Sequence, residues 1–405
     1  MNYLIGIDIG TTSTKTILID ESGLPIASST TQYPLIIEKP GWSEQNPEDW
    51  WSAVIFSIKD ALQKSGVNPS RIACIGLTGQ MHGSVFLEKH GKVIRPAILW
   101  NDQRTFKQCD KIYDIFGYKE FIKLSYNKAL PGFTATKILW LKENEPENYR
   151  KLYKILLPKD YIRYRLSGRF ATDVSDASGT ILMDIPRRTW SNTILEGLQI
   201  DMDILPDLYE STETFSKVTK EAAMQTGLLE GTPIAGGGSD NTAGAVGTGI
   251  IKEGLISDSI GTSGVVIASS NKPAYDSDGR IHCWCHSVPG KWLLVAATLS
   301  AAGSLKWYAD VFGPAENIKL EYQVLSKYQQ LDKQAEKVPA GSEGLIFLPY
   351  LTGERYLSGV NSRFGDPYAR GVFFGISYVH NQNHFVRAIM EGVAYSQLDC
   401  LSILR

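Results

Sequence analysis

Cysteine is scarce in this chain, with five in 405 residues. Cys74, Cys109, Cys283, Cys285 and Cys400 are odd in number and widely spread. Such a set builds no disulfide framework, and a reducing, cytoplasmic setting is expected. An excess of one charge is also lacking. Lys and Arg number 41 against 43 Asp and Glu, for a formal net charge of −2. That balance argues against a nucleic-acid or membrane-surface partner, which would need a net basic face. No apolar run approaches the ~20 residues of a membrane-spanning helix. No basic-then-apolar leader precedes Tyr3, where the first apolar segment begins. Short-period repeats and low-complexity tracts are missing too.

What is present is ordinary globular material, 43% hydrophobic and 21% charged. The length exceeds one compact core, so two domains are expected. Tyr3 to Ile9 reads as a buried strand and Thr14 to Ile19 as a second, bent at Gly10-Thr11-Thr12. Asn46-Pro47-Glu48-Asp49 reads as a helix start. Trp51, Val54, Ile55, Ile58 and Leu62 then recur at helical spacing until Gly66. Ile72 to Leu77 is another short strand. This alternation signals α/β construction. An echo joins the two halves: Asp8 to Ser13 resembles Asp258 to Gly264, and each lies between strand-like segments. Two related domains facing each other are expected, with a border near Gly244 to Gly254.

Candidate chemistry begins at Asp8 to Lys15. Small residues at a hairpin tip expose N–H groups that can surround phosphate. Gly10, Thr11, Thr12 and Ser13 form that tip, with Lys15 as a nearby cation. Asp8 beside it could hold Mg²⁺ directly or through water. The alternative is a plain hairpin turn. Gly261-Thr262-Ser263-Gly264 could grip the other end of a polyphosphate. Gly236 to Asn241 follows a strand-like Pro233-Ile234-Ala235 and places Asp240 at a strand end. Asp240 could accept a proton from a substrate hydroxyl, or merely cap the next helix. Gln80-Met81-His82-Gly83 ends another strand. His82 could hydrogen-bond a sugar hydroxyl with Met81 lining the pocket, or be structural. Trp100 to Arg104 could position a polyol or form a buried salt-bridge corner. His282-Cys283-Trp284-Cys285-His286 invites a zinc reading, but alternation on a strand splits the cysteines from the histidines, which favours packing.

Together these motifs resemble the FGGY family of carbohydrate kinases. Gly6 to Thr12 is similar to that family's first phosphate loop, Gly132 to Asn144 to its first signature, and Gly371 to Gly375 with His384 to Gly392 to its second. Within the family, Gly79 to Gly83, Leu99 to Thr105, Leu157 to Tyr161, Ser175 to Thr180 and Cys285 to Trp292 resemble the xylulokinase branch. The resemblance implies an α/β fold of two actin-like, ribonuclease H-like domains with an interdomain cleft, spanning 1–247 and 248–405. It implies ATP and Mg²⁺ as cofactors and D-xylulose as the sugar. Asp240 would be the general base. Met81, His82, Asp240, Asn241 and Gln80 would contact the sugar, and Asp8 would help place Mg²⁺. Gly10, Thr11, Thr12, Ser13 and Lys15, with Gly261, Thr262, Ser263 and Gly264, would hold phosphates. A homodimer is compatible with this reading. The alternatives are a kinase for another sugar, polyol or sugar acid, or a sugar-binding fragment with weak ATP binding. The final helical pattern, Phe385, Ala388, Ile389, Val393 and Leu398, runs to Arg405 without a cap, as either a natural or a truncated end would. Members of the family continue further, so the resemblance implies truncation before an adenine-binding loop. Tyr356 to Asp366 is longer and differently composed than its counterpart in the family, which could change closure or substrate choice.

Overall fold

The computed structural model describes residues 2–313, 318–320, 323–354, 366 and 368–405. It divides into two compact units. One comprises Met1–Glu253 with Ser269–Leu293, the other Gly254–Ala268 with Leu294–Arg405.

The first unit is organised by one sheet. Strands β1 (Tyr3–Ile9), β2 (Ser13–Asp20) and β3 (Pro25–Gln32) run antiparallel in succession. Helix α1 (Pro47–Ser65) then carries the chain to β4 (Ile72–Gly79), which lies parallel to β1. The Asn46 side chain accepts from the Glu48 N–H, Pro47 opens the first turn and Gly66 closes the helix. That start and stop match the sequence expectation. The sheet order is Ser216–Lys217, Pro233–Ile234, β4, β1, β2, β3, with the short Gly238–Ser239 strand also beside β4.

Strand alternation explains the core. Ile5, Ile7 and Ile9 of β1 are buried with Leu18, Ile75 and Leu77. Trp50, Val54 and Ile58 of α1 and Tyr161, Ile162 and Leu166 of Pro158–Ser167 join the same cluster. Each such aliphatic side chain contributes about 1.5–3 kcal/mol on burial. All five cysteines are free thiols. Among the described residues no helix is long and apolar enough to cross a membrane.

The second unit carries its own hairpin, β5 (Ile256–Ile260) and β6 (Gly264–Ser270), paired antiparallel with Ile260 opposite Gly264. The echo seen in the sequence is thus an echo of hairpins. Its core gathers Tyr308, Leu331, Leu345, Phe347, Val386 and Ile389. The last helix spans Gln382–Leu404 behind a capping box of Asn381 and His384. Its buried stripe passes through Val386, Ile389, Val393, Gln397 and Cys400. Leu398, expected on that stripe, is 51% exposed, because the neighbouring position takes the inward-facing angle. The expected departure at Tyr356 to Asp366 lies, apart from Asp366 itself, outside the described residues.

Candidate active site

Three parallel strand ends converge in the first unit. Thr78 of β4 stands opposite Asp8 of β1 on one side and Gly238 on the other. The chain reaches Gly238 through a tight turn after Ile234. Gly237 there has φ +74, and a Cβ would lie 2.2 Å from the Leu77 carbonyl oxygen, so only glycine fits. Ser239 follows and caps the helix Asp240–Gly247, its Oγ accepting from the Thr242 N–H at 3.4 Å. The cap is therefore Ser239, and Asp240 is the first helical residue. The capping alternative for Asp240 falls away, and its carboxylate remains available for other work.

Asp240 Oδ1 accepts from the Asn241 backbone N–H at 2.7 Å and from Asn241 Nδ2 at 2.8 Å. Asn241 Nδ2 also reaches Met81 Sδ at 3.4 Å. Asp240 keeps solvent contact, yet the surrounding protein thins its hydration. That desolvation, reinforced by the charge of Asp8, pushes its carboxyl up to about 6. Asp8 is itself raised by burial, with Lys15, its cross-strand partner, acting in the opposite direction. Asp8 Oδ1 is buried with no hydrogen-bond partner. Among the described residues no group of three or more His, Cys, Asp or Glu could cage a metal. Mg²⁺ is ordinarily held by one or two carboxylates together with substrate phosphates and water, and the orphan oxygen of Asp8 fits that pattern.

The phosphate-loop candidate is a braced tip. Gly10 N–H closes on Ser13 O at 3.0 Å. The Gly10 carbonyl accepts from Tyr33 OH at 2.5 Å and Gln80 Nε2 at 3.2 Å, and the Thr11 carbonyl from Gln45 Nε2 at 2.7 Å. Trp100 Nε1–H donates to Thr11 Oγ1 at 2.9 Å, and that hydroxyl donates to Gln80 Oε1 at 3.4 Å. Gln80 is buried, and its amide is directed at this loop. Thr12 and Lys15 are exposed and Ser13 is half-buried. Tyr33 and Gln45 went unnoticed in the sequence because each is an isolated polar residue in an irregular stretch. Only their long-range partners reveal them.

Met81 and His82 follow Gln80 in the turn after β4. His82 has φ +65, an unusual conformation for a side-chain-bearing residue. Its carbonyl accepts from Lys137 Nζ at 2.8 Å and Thr134 Oγ1 at 3.1 Å, which fixes the turn. Burial holds the Lys137 ammonium well below the usual lysine range. His82 Nδ1–H donates to the Gly179 carbonyl at 2.7 Å, and the ring stacks on Phe133 at 4.3 Å. In the neutral ring this leaves Nε2 as the acceptor nitrogen. Met81 is buried beneath.

Two open readings are settled by geometry. Arg104 pairs with Asp102 and with Glu44, both at 2.6 Å and all buried, so the Asp102–Arg104 segment is a salt-bridge corner. His282–Cys285 is a buried strand. His286 Nε2–H donates to Ile250 O at 2.9 Å, while Nδ1 accepts from the Val288 N–H at 3.0 Å, so both ring nitrogens are used within the protein.

In the second unit, the Gly261–Gly264 tip closes through Gly261 N–H to Ser263 O at 3.0 Å. Ala302 and Gly303, opening the helix Ala302–Val311, donate to the Gly261 and Thr262 carbonyls at 2.9 and 3.2 Å.

Comparison with known proteins places this chain among relatives. Residues 3–247 match the N-terminal domain of the FGGY family of carbohydrate kinases, and residues 257–405 match its C-terminal domain. The chain is 40% identical over its full length to a xylulose kinase of Bacillus subtilis (strain 168), covering 78% of that protein. It is 42% identical, again over its full length, to a xylulose kinase of Lactococcus lactis subsp. lactis (strain IL1403), covering 77% of it. A xyloylose kinase from Brucella ovis superposes with a TM-score of 0.89 at 33% identity, over 100% of this chain and 79% of that one. The expected α/β fold with two actin-like kinase domains is thereby shown. The truncation expected from the sequence is not shown: both family domains are matched, and the whole of this chain aligns over 77–79% of these relatives.

Proposed function

The chain belongs to the FGGY family of carbohydrate kinases, and on that premise we propose that it phosphorylates D-xylulose from ATP with Asp240 as general base. One observation carries the assignment of the base. Asp240 stands in the first turn of its helix with Ser239 doing the capping, solvent-accessible, with a carboxyl pushed up to about 6. A base near that value is ionised at neutral pH and still basic enough to take a hydroxyl proton as the phosphorus–oxygen bond forms. The proton moves to Asp240, the sugar oxygen bonds to the γ-phosphorus, and ADP leaves with the electron pair of the broken bond.

The other side chains bind and orient. Asn241 fixes one oxygen of Asp240 and lies against Met81. His82, locked by Gly179 and Phe133, would accept from a sugar hydroxyl. Gln80, whose side chain holds the Gly10–Thr11 tip, would brace the phosphate loop beside the sugar. The backbone N–H groups of that tip, with Thr12, Ser13 and Lys15, and the tip Gly261-Thr262-Ser263-Gly264 would hold ATP phosphates. Asp8 would hold Mg²⁺, which neutralises phosphate charge when bound. The substrate assignment rests on the xylulose kinases to which the chain is similar.

The test is a substrate panel of D-xylulose, D-gluconate, D-ribulose and glycerol, read as ADP release. D-Xylulose is expected to give the highest kcat/KM, and Asp240→Ala is expected to abolish sugar-dependent ADP release. Another sugar ranking far above D-xylulose would replace the substrate assignment. Undiminished turnover in Asp240→Ala would remove the base.

A further inference from the structure

A cluster of charges lies sealed inside the first unit without contributing to any role given above. Lys159, Asp160, Arg163, Asp173 and Asp176 are each fully buried. Lys159 Nζ sits 2.5 Å from Asp160 Oδ1, 2.8 Å from Asp173 Oδ1 and 3.3 Å from Asp176 Oδ2. Removing so many ions from water is costly, and apolar replacements of buried ion networks are often neutral or stabilising. Stability is therefore a poor reason for this cluster to exist.

Its hydrogen bonds lead to one segment, directly from Arg163 and through Ser175 and Ser211 from Asp173. Arg163 donates through Nη1 to the Ala235 carbonyl at 2.7 Å and through Nη2 to the Gly236 carbonyl. Asp173 Oδ2 accepts from Ser211 Oγ at 2.7 Å, and the Ser211 carbonyl accepts from the Gly237 N–H at 2.9 Å. The same Asp173 oxygen accepts from Ser175 Oγ at 2.6 Å, and Ser175 Oγ accepts from the Ser239 N–H at 3.0 Å and from Thr242 Oγ1 at 3.0 Å. Gly238, the residue between, is packed so closely that a Cβ would lie 2.3 Å from Ser287 Oγ. Every residue from Ala235 to Ser239 is thus gripped, and the next residue is Asp240. Burial pushes the Asp176 carboxyl well up.

We propose that the Lys159–Asp160–Arg163–Asp173 ion network, acting through Ser175 and Ser211, is the positioning frame of the Asp240 carboxylate. The proposal rests on Asp240 being the base. It makes these buried ions part of the phosphorylating machinery, acting through the backbone of the turn, and explains why a costly cluster sits next to it. A frame of this kind fixes direction: removing one link lets the carboxylate swing, and displacements of about 1 Å at a reacting group cost on the order of 100-fold in rate.

The experiment compares Ser175→Ala, Arg163→Met and Asp240→Asn in the full chain. It reads kcat and KM for D-xylulose, the pH profile of kcat, and Tm. Ser175→Ala removes one oxygen from a packed site and is the milder change; Arg163→Met removes the guanidinium fork. Both are expected to lower kcat about 10- to 100-fold, with KM little changed. Both should also displace the acid limb of the profile from that of the wild type. A lowered Tm with wild-type kcat per folded molecule and an unmoved limb in Ser175→Ala overturns the frame, whatever Arg163→Met does to folding. Full activity in Asp240→Asn overturns the base itself. An inactive Asp240→Asn beside an unaffected Ser175→Ala overturns the frame alone.

Discussion

Asp8 lies on β1 and Asp240 directly follows the Gly238–Ser239 strand, the two strands that pair with the same end of β4, and the charge of Asp8 makes Asp240 harder to ionise. For Asp240 burial is the larger cause, and the carboxyl stands at about 6. A base must be ionised, so kcat is expected to rise with pH through about 6 and level off above it. Asp240→Asn should remove this limb together with the activity. The same shift has a consequence for stability, opposite in sign to that of a salt-bridged carboxylate. The folded chain keeps a proton at Asp240 between the ordinary carboxylate range and about 6, where the unfolded chain has lost it. That contribution is present at low pH and is lost as pH rises through the folded value. Asp240→Asn is therefore expected to have a higher Tm than the wild type at about pH 7.5, with the gap shrinking toward pH 4. A Tm for the variant that lies below wild type and is independent of pH would contradict this.

At the scale of elements, two hairpins carry the tips assigned to phosphate, and they are held differently. The first is braced by side chains from distant positions: Tyr33, Gln45, Gln80 and Trp100. The second leans on the first turn of Ala302–Val311 and on the last helix. Gln397 of that helix donates to Asp258 at 2.7 Å, and its amide lies where a Cβ on Gly264 would fall, 2.4 Å from Oε1. Gly264→Ala is expected to destabilise the chain by about 1–3 kcal/mol through overpacking. Adding Gln397→Ala should recover part of that loss by opening the space, and chemical denaturation of both variants measures it. Failure of the second change to recover anything would mean that backbone strain, not the Gln397 contact, dominates. The hairpins and α1 were readable in the sequence because their signals are local: alternation, an Asn-Pro start, a closing glycine. The exposed Leu398 was misread because a stripe drawn through few residues leaves the helix phase free by one position, and the fold buries Gln397 in its place.

For the whole molecule, a sugar held by Met81, His82, Asp240 and Asn241 would draw on β4, its following turn and the helix Asp240–Gly247 at once. Ligand binding of this kind stabilises the folded chain by mass action, about 2.7 kcal/mol at a sugar concentration of 100 times Kd. D-Xylulose is expected to raise the urea midpoint of the wild type and to leave that of His82→Ala nearly unmoved at the same concentration. An equal rise in both would take His82 out of the sugar site.

The sequence by itself determined the class of fold, the family and the order of the motifs, because each is written in contiguous residues: an apolar strand, a small-residue tip, a capped helix. It also carried Asp240 as a candidate, though with capping as an equal alternative. Only the tertiary structure removed the capping role, by giving the cap to Ser239. It alone placed Asp8 and Asp240 on either side of β4, turned Gln80 toward the phosphate loop and set five buried charges behind the Gly236–Ser239 turn. The physical reason is distance along the chain. A local pattern records what a residue asks of its own backbone, whereas ionisation and direction are imposed by groups that folding brings together from tens to hundreds of residues away.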